Sequence, residues 1–537
     1  MSRAFSRGCI LLLLLGLVVE SVAAQGMPES QPPVWSATPD IAAFEKMENN
    51  RLAAAQRAID KLVAVRGSRT IGNTLVPYDQ AFEQIDDAIN LATVIEQVHP
   101  EAAFREHATT MNSKANAAQT ALSLNRGVYQ ALSALDVSKE DAATRYYMQR
   151  QMLEFRLAGV DKDDATRGKL KKLQEQLTHD QSMLVQNVSD DPKTIEVTNV
   201  AEMEGLPQDY IDSHKPGADG KIHIAADETN IILVLQFAKS DALRRRFWDA
   251  YHTRAYPKNR DVLRDMMQVR YEIATLLGYR SWADYNAADN MMVTGRNIAK
   301  FIEELNVASR PIAEREFAML LAEKRKTDPG ATQIFDYEYD YLSELVRRSQ
   351  YHFDSESVRP YLPFNQVKFG IFQTASTLFH ISFRQEQNVQ AWDPSVETWD
   401  VIDNGKAIGR FYLDMFPRPG KYTHFEMAPL IDGIRGRQLP EAALVCNFSR
   451  PTATDPGLAN YDDVTTFLHE FGHLMHYILA GQQQWAGIGG ISMETDFHEA
   501  PSQMLEEWMH SPQVLATFAH QYQTGETIPT ELVARMN

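Results

Sequence analysis

Cysteine is nearly absent, with two in 537 residues, Cys9 and Cys446. Cys9 falls in an N-terminal leader, so the mature chain keeps one thiol and can form no internal disulfide. Long apolar runs are equally scarce. The one at the start, residues 10–19, follows Arg3 and Arg7 and precedes Val22, Ala23 and Ala24. It reads as a secretory signal peptide over residues 1–24, and it is too short for a permanent membrane anchor. Cys9 precedes this apolar core, which argues against a lipoprotein cleavage site. Basic charge is in deficit too, with 53 Lys and Arg against 71 Asp and Glu, a net charge of −18. That disfavours nucleic acid as a partner. No internal repeat or long low-complexity run is present. The glycines of residues 481–490 form no phosphate loop, because no strand precedes them and no Lys-Ser/Thr follows. These absences leave an exported chain, periplasmic or secreted, without stable membrane insertion after leader cleavage and long enough for two large packed units.

The rest of the chain is organised around residues 462–479, DDVTTFLHEFGHLMHYIL. At about 3.6 residues per turn, His469 and His473 share a helix face and can reach one cation, and His476 continues the stripe. Apolar residues at helical spacing cover the remaining surface, so this helix is expected to be buried on most sides. Gly472 marks a place where another backbone passes close, and Asp462 is read as the N-cap. The spacing suits a zinc hydrolase: catalytic zinc takes three protein ligands and leaves a position for water. Glu470, about a quarter turn from His469, is then placed as general base and not as ligand.

Candidates for the third ligand lie in residues 493–508: Glu494, Asp496, His498 and Glu499. Pro501 suits the first turn of a helix, so a second helix is expected near Glu499, with Met504, Leu505 and Trp508 as its apolar stripe. A carboxylate fixed at a helix start is held more rigidly than one in a loop, which favours Glu499.

The run HEFGHLMH followed by ETDFHEAPSQMLEEW closely resembles the thimet oligopeptidase, neurolysin and oligopeptidase A family of zinc metallopeptidases. The likeness continues in GYRSWADY (residues 278–285), in residues 335–354 and 358–367, and in FYLDMFPRPGKYTH (residues 411–424). It implies a mainly α, two-lobed, zincin-type metallopeptidase fold with a deep central cleft and a small β-sheet near the active site. It implies one Zn²⁺ on His469, His473 and Glu499, with Glu470 as catalytic base, and short unstructured peptides as substrates of a monomer. The expected division is a leader at 1–24, an N-terminal helical region at 25–230 and a catalytic domain at 231–537. In the family the chain continues past the third ligand into a segment with His and several Tyr. Nothing here after Trp508 matches it, so the sequence reads as C-terminally truncated and its catalytic domain as incomplete.

The expected function is metalloendopeptidase action on short peptides. The alternatives are a peptidyl-dipeptidase of the same family and a catalytically impaired fragment that binds zinc and peptide.

Along the chain, residues 41–184 carry helical periodicity, with Asp40 as first cap and stretches 80–98, 115–135 and 139–157 as clear instances. Residues 194–197 and 221–225 read as short strands, and helices resume at 240–256 and 260–277. Residues 335–354 read as a helix on the core, and residues 411–416 as a strand. Residues 443–448, ALVCNF, read either as an edge strand able to pair with an extended peptide or as a buried strand.

Overall fold

The computed structural model describes residues 31–351, 357–387 and 389–536; the leader read at residues 1–24 lies outside them. The helical periodicity becomes α1 (Ile41–Ala64), α2 (Val76–Val98), α3 (Ala102–Ser123), α4 (Arg126–Ser133), α5 (Ala142–Leu157) and α6 (Asp164–Ser189). Asp40, Asn125, Asp141 and Asp163 precede α1, α4, α5 and α6, and each side chain accepts the amide three residues on. Each bond satisfies a donor that the helix start leaves free. The stretch 115–135 is therefore two helices, because Asn125 caps a new start inside it.

Next, β1 (Thr194–Val197) pairs antiparallel with β2 (Ile222–Ala225) across α7 (Gln208–Ser213). Then come α8 (Glu228–Phe237), α9 (Asp241–His252) and α10 (Lys258–Leu277), which Gly278 closes at φ +95°. α11 (Trp282–Asn286), α12 (Gly295–Lys324) and α13 (Asp336–Gln350) complete this group. α14 (Phe364–Phe379) leads to β3 (Ser382–Gln385), β4 (Glu397–Asp403), β5 (Lys406–Asp414), β6 (Glu426–Ile431) and β7 (Glu441–Val445). They form one sheet of order β3-β4-β5-β7-β6, antiparallel except at β5/β7. α15 (Tyr461–Ala480), α16 (Ala500–Glu506), α17 (Pro512–Phe518) and α18 (Thr530–Met536) follow. The chain is mainly helical with a small mixed sheet.

That sheet positions the metal helix. On one face, Ala442 and Leu444 of β7 join Phe467, Phe471 and Leu474 of α15 in a single core. Phe467 and Phe471 are fully buried, each contributing roughly 2–3 kcal/mol relative to exposure. On the other face, Ala443 and Val445 meet Trp35, Phe44 and the apolar side of α2. β7 is thus an interior strand, bonded to β5 and β6 and buried at all five positions. The edge reading of residues 443–448 is corrected here: β6 covers that side and is itself the edge. Asp462 is also corrected. α15 starts after Asn460, which places Asp462 and Asp463 in its first turn, where their charge favours the helix dipole.

Against that second face, α2 presents a row of acids, Asp79, Glu83, Asp86 and Asp87. Asp87 accepts from the Asp432 amide at 2.8 Å and from Gln438 Nε2 at 3.0 Å, and pairs with Arg51 at 2.6 Å. Glu83 pairs with Arg437, and Asp79 accepts the Ala486 amide at 2.9 Å. Burial raises the pKa of Asp79 to about 6, of Glu83 to about 7, and of Glu48 on α1 to about 8.

Candidate metal centre

α15 turns His469 and His473 to one side, and α16 brings Glu499 to them from its N-terminal end. The approach is close because position 472 is glycine: a Cβ there would meet the Ser502 Cα at 2.6 Å and the Pro501 carbonyl oxygen at 3.0 Å. A side chain would push α16, and Glu499 with it, away from the histidines.

His469 Nε2 and His473 Nε2 lie 3.1 and 3.2 Å from the same oxygen, Glu499 Oε2. The ligand atoms all fall within 4.8 Å of one another. Burial pushes the His473 pKa down to about 4, so its imidazole is neutral at pH 7 with a lone pair to offer. Burial raises the Glu499 pKa, but the Ser502 hydroxyl and the neighbouring histidines outweigh it and hold the carboxyl below its usual range. The Ser502 hydroxyl donates to Glu499 Oε2 at 3.0 Å and to its backbone carbonyl at 2.8 Å.

His469 Nδ1 lies 2.5 Å from Glu506 Oε1. A proton held there leaves Nε2 as an acceptor facing a carboxylate oxygen. Two imidazole lone pairs and an anionic oxygen converging in this way call for a cation between them. Two histidines and one glutamate suit zinc with an open coordination position.

Glu470 faces a different neighbour. Its Oε2 accepts the Met427 amide of edge strand β6 at 2.7 Å, and burial raises its pKa. His476 is half-buried beyond the site; among the described residues its Nδ1 has no hydrogen-bond partner and it joins no ligand group.

The remaining candidates for third ligand have other partners. Glu494 accepts from Tyr146 Oη at 2.8 Å, and Asp496 accepts the amides of Met291 and Met292 at 2.9 and 3.1 Å. The His498 ring packs on that of His473, centroids 4.7 Å apart.

Sequence reasoning missed Glu506, although its spacing of seven from Glu499 puts it on the same helix face as the ligand, a signal that was available. It missed the Met427 amide as well, which no local pattern marks. The expected stripe of α16 holds only in part. Leu505 is buried and Trp508 packs partly buried against the same core, while Met504, about 100° round the helix from Leu505, is 67% exposed.

Residues 234–537 match the description of Peptidase family M3. The chain is 27% identical over 523 residues to a thimet-like oligopeptidase of Dictyostelium discoideum, covering 92% of this chain and 77% of that protein. It is 32% identical over 358 residues to oligopeptidase A of Escherichia coli, covering 63% and 52%. With the dipeptidyl carboxypeptidase of Escherichia coli it shares 31% identity over 399 residues, covering 71% and 58%. The chain thus spans about half the length of oligopeptidase A and about three quarters of the Dictyostelium protein.

Proposed function

Because this chain belongs to peptidase family M3, we propose that it is a zinc-dependent metallo-oligopeptidase, cutting peptide bonds within short unstructured peptides. The observation that carries this is the meeting of His469 Nε2, His473 Nε2 and a Glu499 oxygen, with the Glu470 carboxylate one residue from the first ligand.

His469, His473 and Glu499 would hold one zinc ion, which when bound would supply Lewis acidity toward a water and the scissile carbonyl. Glu506 fixes the His469 ring through Nδ1, and Ser502 fixes the Glu499 carboxylate. Glu470 takes the proton from the attacking water and delivers it to the departing amine nitrogen. Its raised pKa brings its proton affinity nearer the working pH, which suits both transfers. Edge strand β6 turns the Met427 N–H toward Glu470, so an extended peptide pairing along that edge runs past the base.

Relatives named both oligopeptidase and dipeptidyl carboxypeptidase align with this chain, so removal of C-terminal dipeptides is the second reading. The apolar stretch at residues 10–19 supports export by a leader at 1–24, ahead of a helical region to residue 230 and a catalytic domain from 231.

The test is incubation of the purified mature chain with a pool of short peptides, with and without a zinc chelator, and product masses read by mass spectrometry. Internal cuts that vanish with chelator are expected. C-terminal dipeptides alone would move the activity to the second reading, and a folded, zinc-loaded chain that cleaves nothing would sink both.

A further inference from the structure

The segment leading into Glu499 is tied to a distant part of the chain. Asp496, three residues before the ligand, accepts two consecutive backbone amides, Met291 to Oδ1 at 2.9 Å and Met292 to Oδ2 at 3.1 Å. Beside it, the Thr495 amide donates to Asn290 Oδ1 at 3.1 Å. Successive N–H groups aimed at one carboxylate form a fixed anion seat.

The seat is held on its own side. Asn297 Nδ2 donates to the Met292 carbonyl at 2.8 Å, and Asp284 Oδ1 accepts the Gly295 amide at 3.0 Å, so the turn is pinned between α11 and α12. Val293 adopts φ +61° within it, a left-handed conformation that costs a β-branched residue energy and persists only where its surroundings impose it.

On the ligand side the segment has one further side-chain anchor before Asp496, Glu494, which accepts from Tyr146 Oη at 2.8 Å and lies 3.7 Å from Arg150 Nη1. Residues 495–497 form a single 3₁₀ turn with Asp496 and Phe497 exposed, and the Glu499 side chain is itself 55% exposed.

We propose that Asp496 is a positioning residue for the metal centre: by gripping the turn at residues 290–293 it fixes the backbone that presents Glu499 to His469 and His473. The inference rests on the zinc reading above and deepens it. Metal sites tolerate about 0.5 Å of play in their ligands, and groups that orient a ligand typically govern about 10- to 100-fold in metal affinity. A further consequence is mechanical. The turn belongs to the α10–α12 group and Glu499 to the sheet-bearing group, so a shift of one against the other is carried to the third ligand through Asp496.

The test uses the full mature chain and two readouts. Zinc affinity is measured by competition with a chromophoric chelator. Hydrogen exchange of the backbone at residues 494–499 is measured on metal-free protein. Asp496→Ala is expected to weaken zinc binding about tenfold and to speed exchange in that segment. Asp496→Asn, which keeps one acceptor oxygen, is expected to fall between it and wild type. The melting temperature of the metal-free protein is expected to change little, since Asp496 is exposed.

Unchanged exchange in Asp496→Ala overturns the proposal, as does a lowered melting temperature with zinc affinity intact. The exchange readout needs neither zinc nor turnover. A wild-type chain that shows this strap and cleaves no peptide therefore counts against the peptidase reading and leaves the positioning role standing.

Discussion

α15 and α2 both carry ionisable side chains four residues apart, and they put the same spacing to opposite use. On α15, His469 and His473 converge with Glu499 on one spot, and the Glu499 side chain stays half-open to solvent. On α2, Asp79, Glu83 and Asp87 run down a face that is shut against the sheet group. There Arg51, Arg437, Gln438 and the amides of Asp432 and Ala486 share out their oxygens. Both regions hold strongly shifted titrations, so a perturbed pKa does not by itself distinguish a site from a joint. The partners do: Asp79, Glu83 and Asp87 are met by protein cations and donors, while Asp86 has Asn90 at 3.3 Å and the Asp432 carboxyl beside it, and the ligand atoms of the α15 site face one another.

The sharpest way to break that contrast is at Glu470. Glu470→Gln keeps an acceptor oxygen for the Met427 amide and removes the proton carrier. A loss of about a thousandfold in kcat is expected, roughly 4 kcal/mol in the barrier, with zinc content unchanged. Steady-state cleavage of a fluorogenic peptide beside metal analysis decides it. A zinc-loaded variant with full activity would show that the proton is carried elsewhere.

Asp87 is the corresponding position of the joint. It is fully buried, and Asp87→Ala takes from the Arg51 guanidinium its 2.6 Å partner, leaves the Asp432 amide without its acceptor, and removes one of the two acceptors of Gln438 Nε2. The expected cost is about 3 kcal/mol of stability, read as a lower denaturation midpoint at equal slope, while zinc affinity stays at the wild-type value. If zinc binding fell in step with stability, the two regions would be one cooperative unit and the contrast would fail.

The two regions also differ in how far they can be read from sequence. The α15 site is local: ligand, base and ligand fall within five residues, and the third ligand sits at a helix start that Pro501 marks. Gly472 is legible for the same reason, since a glycine in a buried apolar helix calls for a neighbouring backbone, and Ser502 is there. The acids of α2 look like a solvated helix face, because their partners at 432–438 lie about 350 residues away in sequence and no local pattern announces them. A strand is legible at residues 443–448, running three residues beyond the end of the observed β7 (Glu441–Val445), but its place in the sheet is not. Composition reports burial, whereas the pairing with β6 that takes it off the edge depends on chain order. The roles of Glu494 and Asp496 were hidden likewise, since Tyr146 and the Met291 and Met292 amides come from elements far upstream.

Glu48 offers the smallest test, and it separates joint from site by pH alone. Its side chain is fully buried beside Arg51, and burial raises its pKa from an ordinary 4.5 to about 8, with Arg51 opposing and Asp87 adding to the rise. A folded pKa above the unfolded one means that the folded chain holds a proton the unfolded chain has released between pH 4.5 and 8. Glu48 therefore contributes stability that is full below pH 4.5 and is lost as pH rises through 8. The melting temperature of the metal-free wild type is expected to include this fall between pH 6 and 8. In Glu48→Gln, which cannot ionise, the fall should be shallower, by on the order of 1–2 kcal/mol across the window. Groups titrating elsewhere are common to both proteins and cancel in the difference, so parallel curves would show that Glu48 is charged at neutral pH and that Arg51 compensates it fully.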